Sequence, residues 1–255
     1  MYAEERQQAI AALVGQRGRV SVTDLSEQFG VTTETVRRDL AVLDRSGLVR
    51  RVHGGAVPAA TLTAIELGTT EREGSRTAEK DRIGKAALDF LPPSGGSILL
   101  DAGTTTARIA AHLPTDRDLV AVTNSVPIAA RLSGSANVRL HLIGGRVRGI
   151  TQAAVGADAI RMLGELRIDV AFIGTNGLTI AHGLSTPDPD EAAVKRMMVA
   201  SAHRVVVVTD STKIGREDLI RFAPIEECDA LVTDNELLPS ARNELSEYGI
   251  EVVTA

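Results

Sequence analysis

From Ser97 onward the chain alternates short apolar runs with helix-length segments, and this alternation restricts the fold more than any other feature. The apolar runs fall at Ser97–Leu100, Leu119–Val122, Val138–Ile143, Asp169–Ile173, Val205–Val208 and Ala230–Val232. Between most of them lie segments with helical spacing, at Thr105–Leu113, Val126–Leu132, Ala157–Leu166, Asp190–Ala202 and Ser240–Tyr248. A strand buried on both faces reads as one unbroken apolar run, and parallel strands need crossover helices that cover the sheet. The expected fold is therefore α/β with a mostly parallel sheet. Aromatic residues make up only 2% and Trp is absent, so the core must rest on Val, Ile, Leu and Ala. The same scarcity argues against stacking on single-stranded nucleic acid.

Small and polar residues gather where these runs end. Asp101, Gly103, Thr104, Thr105 and Thr106 follow the first run; Thr123, Asn124 and Ser125 follow the second; Gly144 and Gly145 follow the third. Gly174, Thr175, Asn176 and Gly177 follow the fourth, and Asp210, Ser211, Thr212 and Lys213 the fifth. In open α/β sheets, ligands bind outside the carboxyl ends of the strands. Glycines admit backbone N–H groups to a phosphate, a helix N-terminus adds partial positive charge, hydroxyls donate, and Lys213 adds a full charge. Any one loop is also ordinary turn chemistry; five at strand ends point to an anion site.

The N-terminal segment has a different grammar. Ile10, Leu13 and Val14 give an amphipathic helix over about Glu4–Gln16. Ser21 is placed to cap a second helix whose Val22, Leu25 and Phe29 share a face before Gly30. Thr32 or Thr33 caps a third, with Val36, Leu40 and Leu43 inward. Three short helices with a tight turn at Gly30 spell a helix-turn-helix. On the third, Thr33, Thr35, Arg37 and Arg38 occupy the end that meets base edges or phosphates in the major groove. A solvated helix face would show the same charges. Arg50, Arg51 and His53 then fall in a small hairpin, LVRRVHGGAV, that reads as a wing on the DNA backbone.

The net charge of −5 conceals an uneven distribution. Through Pro58 eight arginines face seven acidic residues, so that segment carries +1 and the remainder −6. The boundaries expected are a DNA-binding domain at 3–58, a linker at 59–76 with weak periodicity, and an effector-sensing and oligomerisation domain at 77–255. Helix is predicted from Thr77 to Phe90, where Leu91, Pro92 and Pro93 break it. With Cys228 the only cysteine, no intramolecular disulfide or Cys-based zinc site is possible, and the five histidines lack paired spacing. No metal and no cofactor are expected. Glu4 and Glu5 stand where an export signal would be basic, and no apolar run approaches about 18 residues, so a cytoplasmic protein without a membrane span is expected.

The strings TVRRDL (Thr35–Leu40) and RVHGGA (Arg51–Ala56) resemble the hallmark of the DeoR family of bacterial regulators. The resemblance continues through DAGTTT, TNS, LIGG, FIGTNG, GLSTPDPDEAAVKRMM and DSTKIG. It implies a sensor fold related to ribose-phosphate isomerases and glucosamine-phosphate deaminases, and a repressor of the fructose, glycerol or sugar-phosphate type. It further implies that Gly103, Thr104, Thr105 and Thr106 hold a phosphate while Thr123, Asn124, Asn176 and Lys213 surround a sugar. Glu191 and Lys195, one turn apart, either line that cleft or form a surface ion pair. The partners implied are double-stranded operator DNA, a phosphorylated sugar, and further copies of the chain in a homodimer or homotetramer. The rival reading is a sugar-phosphate isomerase fused to a DNA-binding domain. The isomerases carry an Asp-Gly-Ala-Asp loop where this chain has Gly174, Thr175, Asn176 and Gly177, so both carboxylates are missing. Asp101 is the acid left near the phosphate loop, and the expectation is no enzyme.

Overall fold

A computed structural model of the chain describes residues 3–17, 20–52, 54–58 and 68–255. The chain divides into two compact units, Met1–Ile65 and Glu66–Ala255.

In the N-terminal unit α1 (Ala3–Arg17) precedes a short strand β1 (Val20–Ser21), α2 (Val22–Phe29) and α3 (Thr33–Arg45). The caps follow from local chemistry. Ser21 Oγ accepts from the Asp24 N–H at 3.0 Å, and Thr32 Oγ1 from the Thr35 N–H at 3.2 Å. Gly30 ends α2 with φ 62°, a left-handed conformation that any side chain would strain. Strands β2 (Val49–Val52) and β3 (Gly55–Pro58) pair antiparallel, and β1 joins the outer side of β3. Ile10, Val14, Leu25, Val36, Leu40, Leu43 and Val49 form one core. Into it α3 turns an acid: Asp39 is buried and accepts from Arg6 Nε at 2.6 Å and Gln7 Nε2 at 2.9 Å, both on α1. These bonds hold α1 against α3.

The C-terminal unit opens with α4 (Thr69–Glu73), α5 (Thr77–Ala86) and a 3-10 turn at Ala87–Phe90. Then follow β4 (Ser97–Leu100), α6 (Thr104–His112), β5 (Leu119–Thr123), α7 (Val126–Leu132) and β6 (Val138–Leu142). A hairpin of β7 (Arg146–Arg148) and β8 (Ala153–Val155) leads to α8 (Ala157–Gly164) and β9 (Ile168–Ile173). Strands β10 (Gly177–Thr179) and β11 (Gly183–Thr186), α9 (Pro189–Ala200) and β12 (Ala202–Val208) come next. Last are β13 (Ile220–Ala223), β14 (Ala230–Thr233), α10 (Pro239–Glu247) and β15 (Glu251–Thr254). Seven strands form the central sheet in the order β15-β14-β12-β9-β4-β5-β6, all parallel. β10, β11 and β13 make a separate antiparallel ribbon.

Strand alternation divides the core between the faces. Ile98, Leu100, Val170, Phe172, Val206 and Val208 pack with Ile109 of α6 and Ile128 and Leu132 of α7. Leu99, Ala171, Ile173, Val205 and Val207 pack with Leu163 of α8, Val194 and Met198 of α9 and Leu245 of α10. The order of strands reverses between β4 and β9: from β4 the chain winds outward through β5 and β6, then returns to β9 and winds the other way. That topological switch point opens a crevice at the strands' carboxyl ends.

The structure corrects the linker on its C-terminal side. Residues 69–73 are helical and belong to the second unit; they carry no apolar stripe, which is why periodicity missed them. The expected linker residues 59–67, and the wing residue His53, lie outside the described residues. β15 and the ribbon strands also escaped the sequence reading.

Arg6→Met leaves the Asp39 carboxylate buried without its guanidinium. It should lower the stability of the N-terminal unit by about 2 kcal/mol. Denaturation of the full chain should show one transition moved and the C-terminal unit's unchanged.

Candidate functional site

The sheet decides which strand-end loops meet. β4, β9 and β12 are adjacent, and their loops line one cleft, with Gly103, Thr104, Thr105 and Thr106 from the first, Gly174, Thr175 and Asn176 from the second, and Thr209, Asp210, Thr212 and Lys213 from the third. Glu191 and Lys195 of α9 also line it, as do Arg72, Ser75, Arg76 and Lys80 from the segment before β4.

At the switch point Asp101 is 2% exposed. Its Oδ2 accepts from the Gly174 N–H at 3.0 Å and from Lys195 Nζ, which also donates to the Gly174 carbonyl at 2.8 Å. Burial pushes the Asp101 carboxyl above its ordinary range, and the adjacent Lys195 ammonium opposes that. Thr106 is fully buried and donates to the carbonyls of Asp101 and Gly103 at 2.6 and 3.0 Å, so its hydroxyl shapes the loop. The first N–H groups of α6 have no intrahelical acceptor and open on the cleft beside Thr104 and Thr105.

Glu191 and Lys195 do not pair with each other and are not on the surface. Both are buried on α9, Lys195 against Asp101, Glu191 accepting from Arg148 Nη1 at 2.6 Å and from the Thr151 hydroxyl. Thr123, Asn124, Ser125, Gly144, Gly145 and Gly177 are absent from the cleft lining. Strands β5 and β6 stand one and two places beyond β4, away from β9. Thr123 donates to the Leu100 carbonyl at 2.6 Å; Asn124 accepts from the Ala102 N–H and donates to the Ala154 carbonyl, each at 3.1 Å. Ser125 caps α7. At Gly145 and Gly177 a Cβ would stand 2.6 Å from the Val155 carbonyl oxygen and 2.5 Å from that of Arg216, so these glycines serve close backbone packing.

Three cations of the lining were missed from sequence: Arg72, Arg76 and Lys80. Their i, i+4, i+8 spacing is a basic stripe that was available to be read. Arg76 lies 3.2 Å from Asp234 and 3.0 Å from Glu236. Nε and Nη2 of Arg72 are buried and have no hydrogen-bond partner. Lys80 is 5% exposed and donates to the carbonyls of Arg72 and Ser75. Burial lowers its pKa to about 8, with Asp210 opposing and Lys213, Arg72 and Arg108 adding to the effect. Burial also lowers the Lys213 ammonium, with Asp210 opposing. Of the cleft's cations, Lys195 and Arg76 face acids. Arg72, Lys80 and Lys213 make no ion pair among the described residues, and the site can take an anion.

In the N-terminal unit Thr33, Arg37, Arg38 and Arg51 are exposed. Arg37 pairs loosely with Glu34 at 3.6 Å, both more than half exposed. The Thr35 hydroxyl is hydrogen-bonded to that of Thr32 at 2.9 Å, in the cap of α3. Arg50, on β2, is half-buried, and Arg51 is fixed by its N–H donating to Asp44 at 3.1 Å.

A helix-turn-helix with a wing and an α/β unit with a cationic switch-point cleft define a two-part DNA-binding transcriptional regulator with a sensor domain. Residues 6–61 match the DeoR-like helix-turn-helix domain and residues 75–235 the DeoR C terminal sensor domain. The HTH-type transcriptional regulator GlpR of Haloferax volcanii is 38% identical over 253 residues, covering 99% of this chain and 98% of that protein. The glycerol-3-phosphate regulon repressor of Escherichia coli K12 is 30% identical over 248 residues, covering 97% of each. Ribose 5-phosphate isomerase A of Methanocaldococcus jannaschii is 17% identical with a TM-score of 0.41, covering 55% of each chain. The chain belongs to the DeoR family of transcriptional regulators. No described helix is long and apolar enough to cross a membrane.

A charged Lys80 adds to the attraction of this cleft for an anion. Affinity for a phosphate monoester should rise from pH 5 to about 7, as the ligand loses its second proton near pH ~6. It should fall as pH passes about 8, where Lys80 loses its charge. Calorimetric titration across pH checks this; in Lys80→Arg the falling limb should move to higher pH.

Proposed function

We propose that the chain represses a carbohydrate-catabolic operon and that its C-terminal unit binds a phosphorylated sugar or closely related phosphorylated metabolite that retunes operator binding. The observation that carries this is the set of cations without acid partners, Arg72, Lys80 and Lys213, in one cleft with the N-terminus of α6. A phosphate monoester supplies the missing charge and accepts from buried donors and helix N–H groups together. Asn176 and the Thr104 and Thr105 hydroxyls are left for the rest of the ligand. A relative named for the glycerol-3-phosphate regulon supports the ligand class.

The cleft is a sensor and not a catalytic site. Sugar-phosphate isomerisation needs a positioned base. Asp101 is committed to Lys195 and Gly174, Glu191 to Arg148 and Thr151, and Asp210 to Thr212. Thr33, Arg37, Arg38, Arg50 and Arg51 face operator DNA as a homodimer or homotetramer in the cytoplasm reads paired half-sites.

Two variants separate the halves. Arg72→Ala with Lys213→Ala should leave operator affinity intact and abolish its response to phosphorylated sugars. Normal response in that double variant sinks the pocket, and turnover of ribose 5-phosphate by the unaltered chain sinks the non-catalytic reading. Arg38→Ala should weaken operator binding and reduce the salt slope by about 1 if it meets a phosphate; unchanged affinity removes it from the interface.

A further inference from the structure

α4 is held in an unusual way. It has five residues, too few to persist as an isolated helix, and none of them is fully buried, Thr69 and Arg72 being half-buried and the rest exposed. At its start Thr69 donates from both its N–H and its hydroxyl to the Ile150 carbonyl, at 2.9 and 3.0 Å. At its end the Lys80 ammonium of α5 donates to the Arg72 carbonyl at 2.5 Å and the Ser75 carbonyl at 2.7 Å. Three residues past that end, at the start of α5, Arg76 adopts φ 52° and ψ 42°, a left-handed conformation costly for a side chain. A further tether is left unmade, because Arg72 Nε and Nη2 are buried with no acceptor. Buried donors without partners disfavour the docked position until something accepts from them.

Both attachments of α4 lead back to the cleft. Ile150 sits between β7 and β8, and its neighbours Arg148 and Thr151 both donate to Glu191, a cleft residue. Arg72 and Lys80 are cleft residues themselves. Along the chain, α4 is also the first helix of the C-terminal unit, and Gly68 and residues 59–67 connect it to the strand β3 of the other unit.

We infer that α4 is a latch worked by the ligand: an anion in the cleft gives Arg72 its missing acceptor and fixes α4 to the C-terminal unit, and an empty cleft lets α4 open. The inference rests on the anion-site reading above and adds how that site is read out. Opening converts five helical residues spanning about 8 Å into chain that can reach about 17 Å. The ligand thereby sets the length of the connection to the DNA-binding unit, and with it the effective concentration at which paired DNA-binding units meet their half-sites. Coupling needs no rearrangement of the sheet.

Amide hydrogen exchange of the full chain, followed by mass spectrometry during a titration with inorganic phosphate, tests this. Amides of Thr104, Thr105 and Thr106 report the anion site; those of Thr69, Arg72, Gly74 and Ser75 report the latch. Both sets should slow with the same half-saturation, the latch set by about tenfold at ten times the Kd. In Arg72→Gln, phosphate should still slow the α6 amides, at higher concentration, without slowing the latch set. Thr69→Val, outside the cleft, should speed latch exchange without phosphate and raise the phosphate needed to slow it. Slowing at α6 with the latch set unchanged overturns the latch and leaves the anion site standing. No slowing at α6 up to the solubility limit of phosphate overturns the anion site, and the latch with it.

Discussion

The buried pair of Asp101 and Lys195 is the constraint on which the sensor unit depends. It sits at the switch point, where β4 and β9 diverge, and three hydrogen bonds tie the pair to both polar groups of Gly174 and to each other. Removing two charges from water is expensive, and a pair like this persists only when its remaining donors and lone pairs are also met. Here the Gly174 N–H and carbonyl meet them, and the Phe222 ring lies 5.3 Å from Lys195 Nζ. The pair holds the ends of two strands and α9 together and engages the acid nearest the loop that opens α6. The cleft's surplus charge then falls on Arg72, Lys80 and Lys213.

The DNA-binding unit uses the same device on a smaller scale. Asp39, inside the TVRRDL string, is not a surface charge but a buried anchor that takes Arg6 and Gln7 from α1. With it fixed, the neighbouring Arg37 and Arg38 are presented outward on α3. In each unit a buried carboxylate fixes one helix against its neighbours, α3 against α1 through Asp39 and α9 against the ends of β4 and β9 through Asp101.

What the sequence disclosed was mostly local. Caps at Ser21 and Thr32, the turn at Gly30, the wing and the helices from α5 to α10 depend on residues a few positions apart, so they can be read directly. The small polar loops at strand ends were equally visible. Strand order was not, because parallel pairing is set by long-range packing that leaves no mark in any single run. Hence Thr123, Asn124, Gly144 and Gly145 were grouped with Gly103 and Asn176, although β5 and β6 carry them away from the crevice. The pairing of Glu191 was unreadable for a similar reason: its partners, Arg148 and Thr151, are 43 and 40 positions away in the chain. α4 was hidden because side-chain to backbone bonds hold it, and such bonds create no hydrophobic period.

On the proposed function, occupancy of the cleft and occupancy of the operator are linked, and linkage is reciprocal. The most direct measurement is the affinity of the full chain for one phosphorylated sugar, determined by calorimetry with and without saturating operator DNA, beside the affinity for that DNA with and without the sugar. The account predicts two changes of the same factor, in the range of about 5 to 150-fold. A sugar phosphate that binds the cleft with one affinity whether or not the operator is present would contradict it.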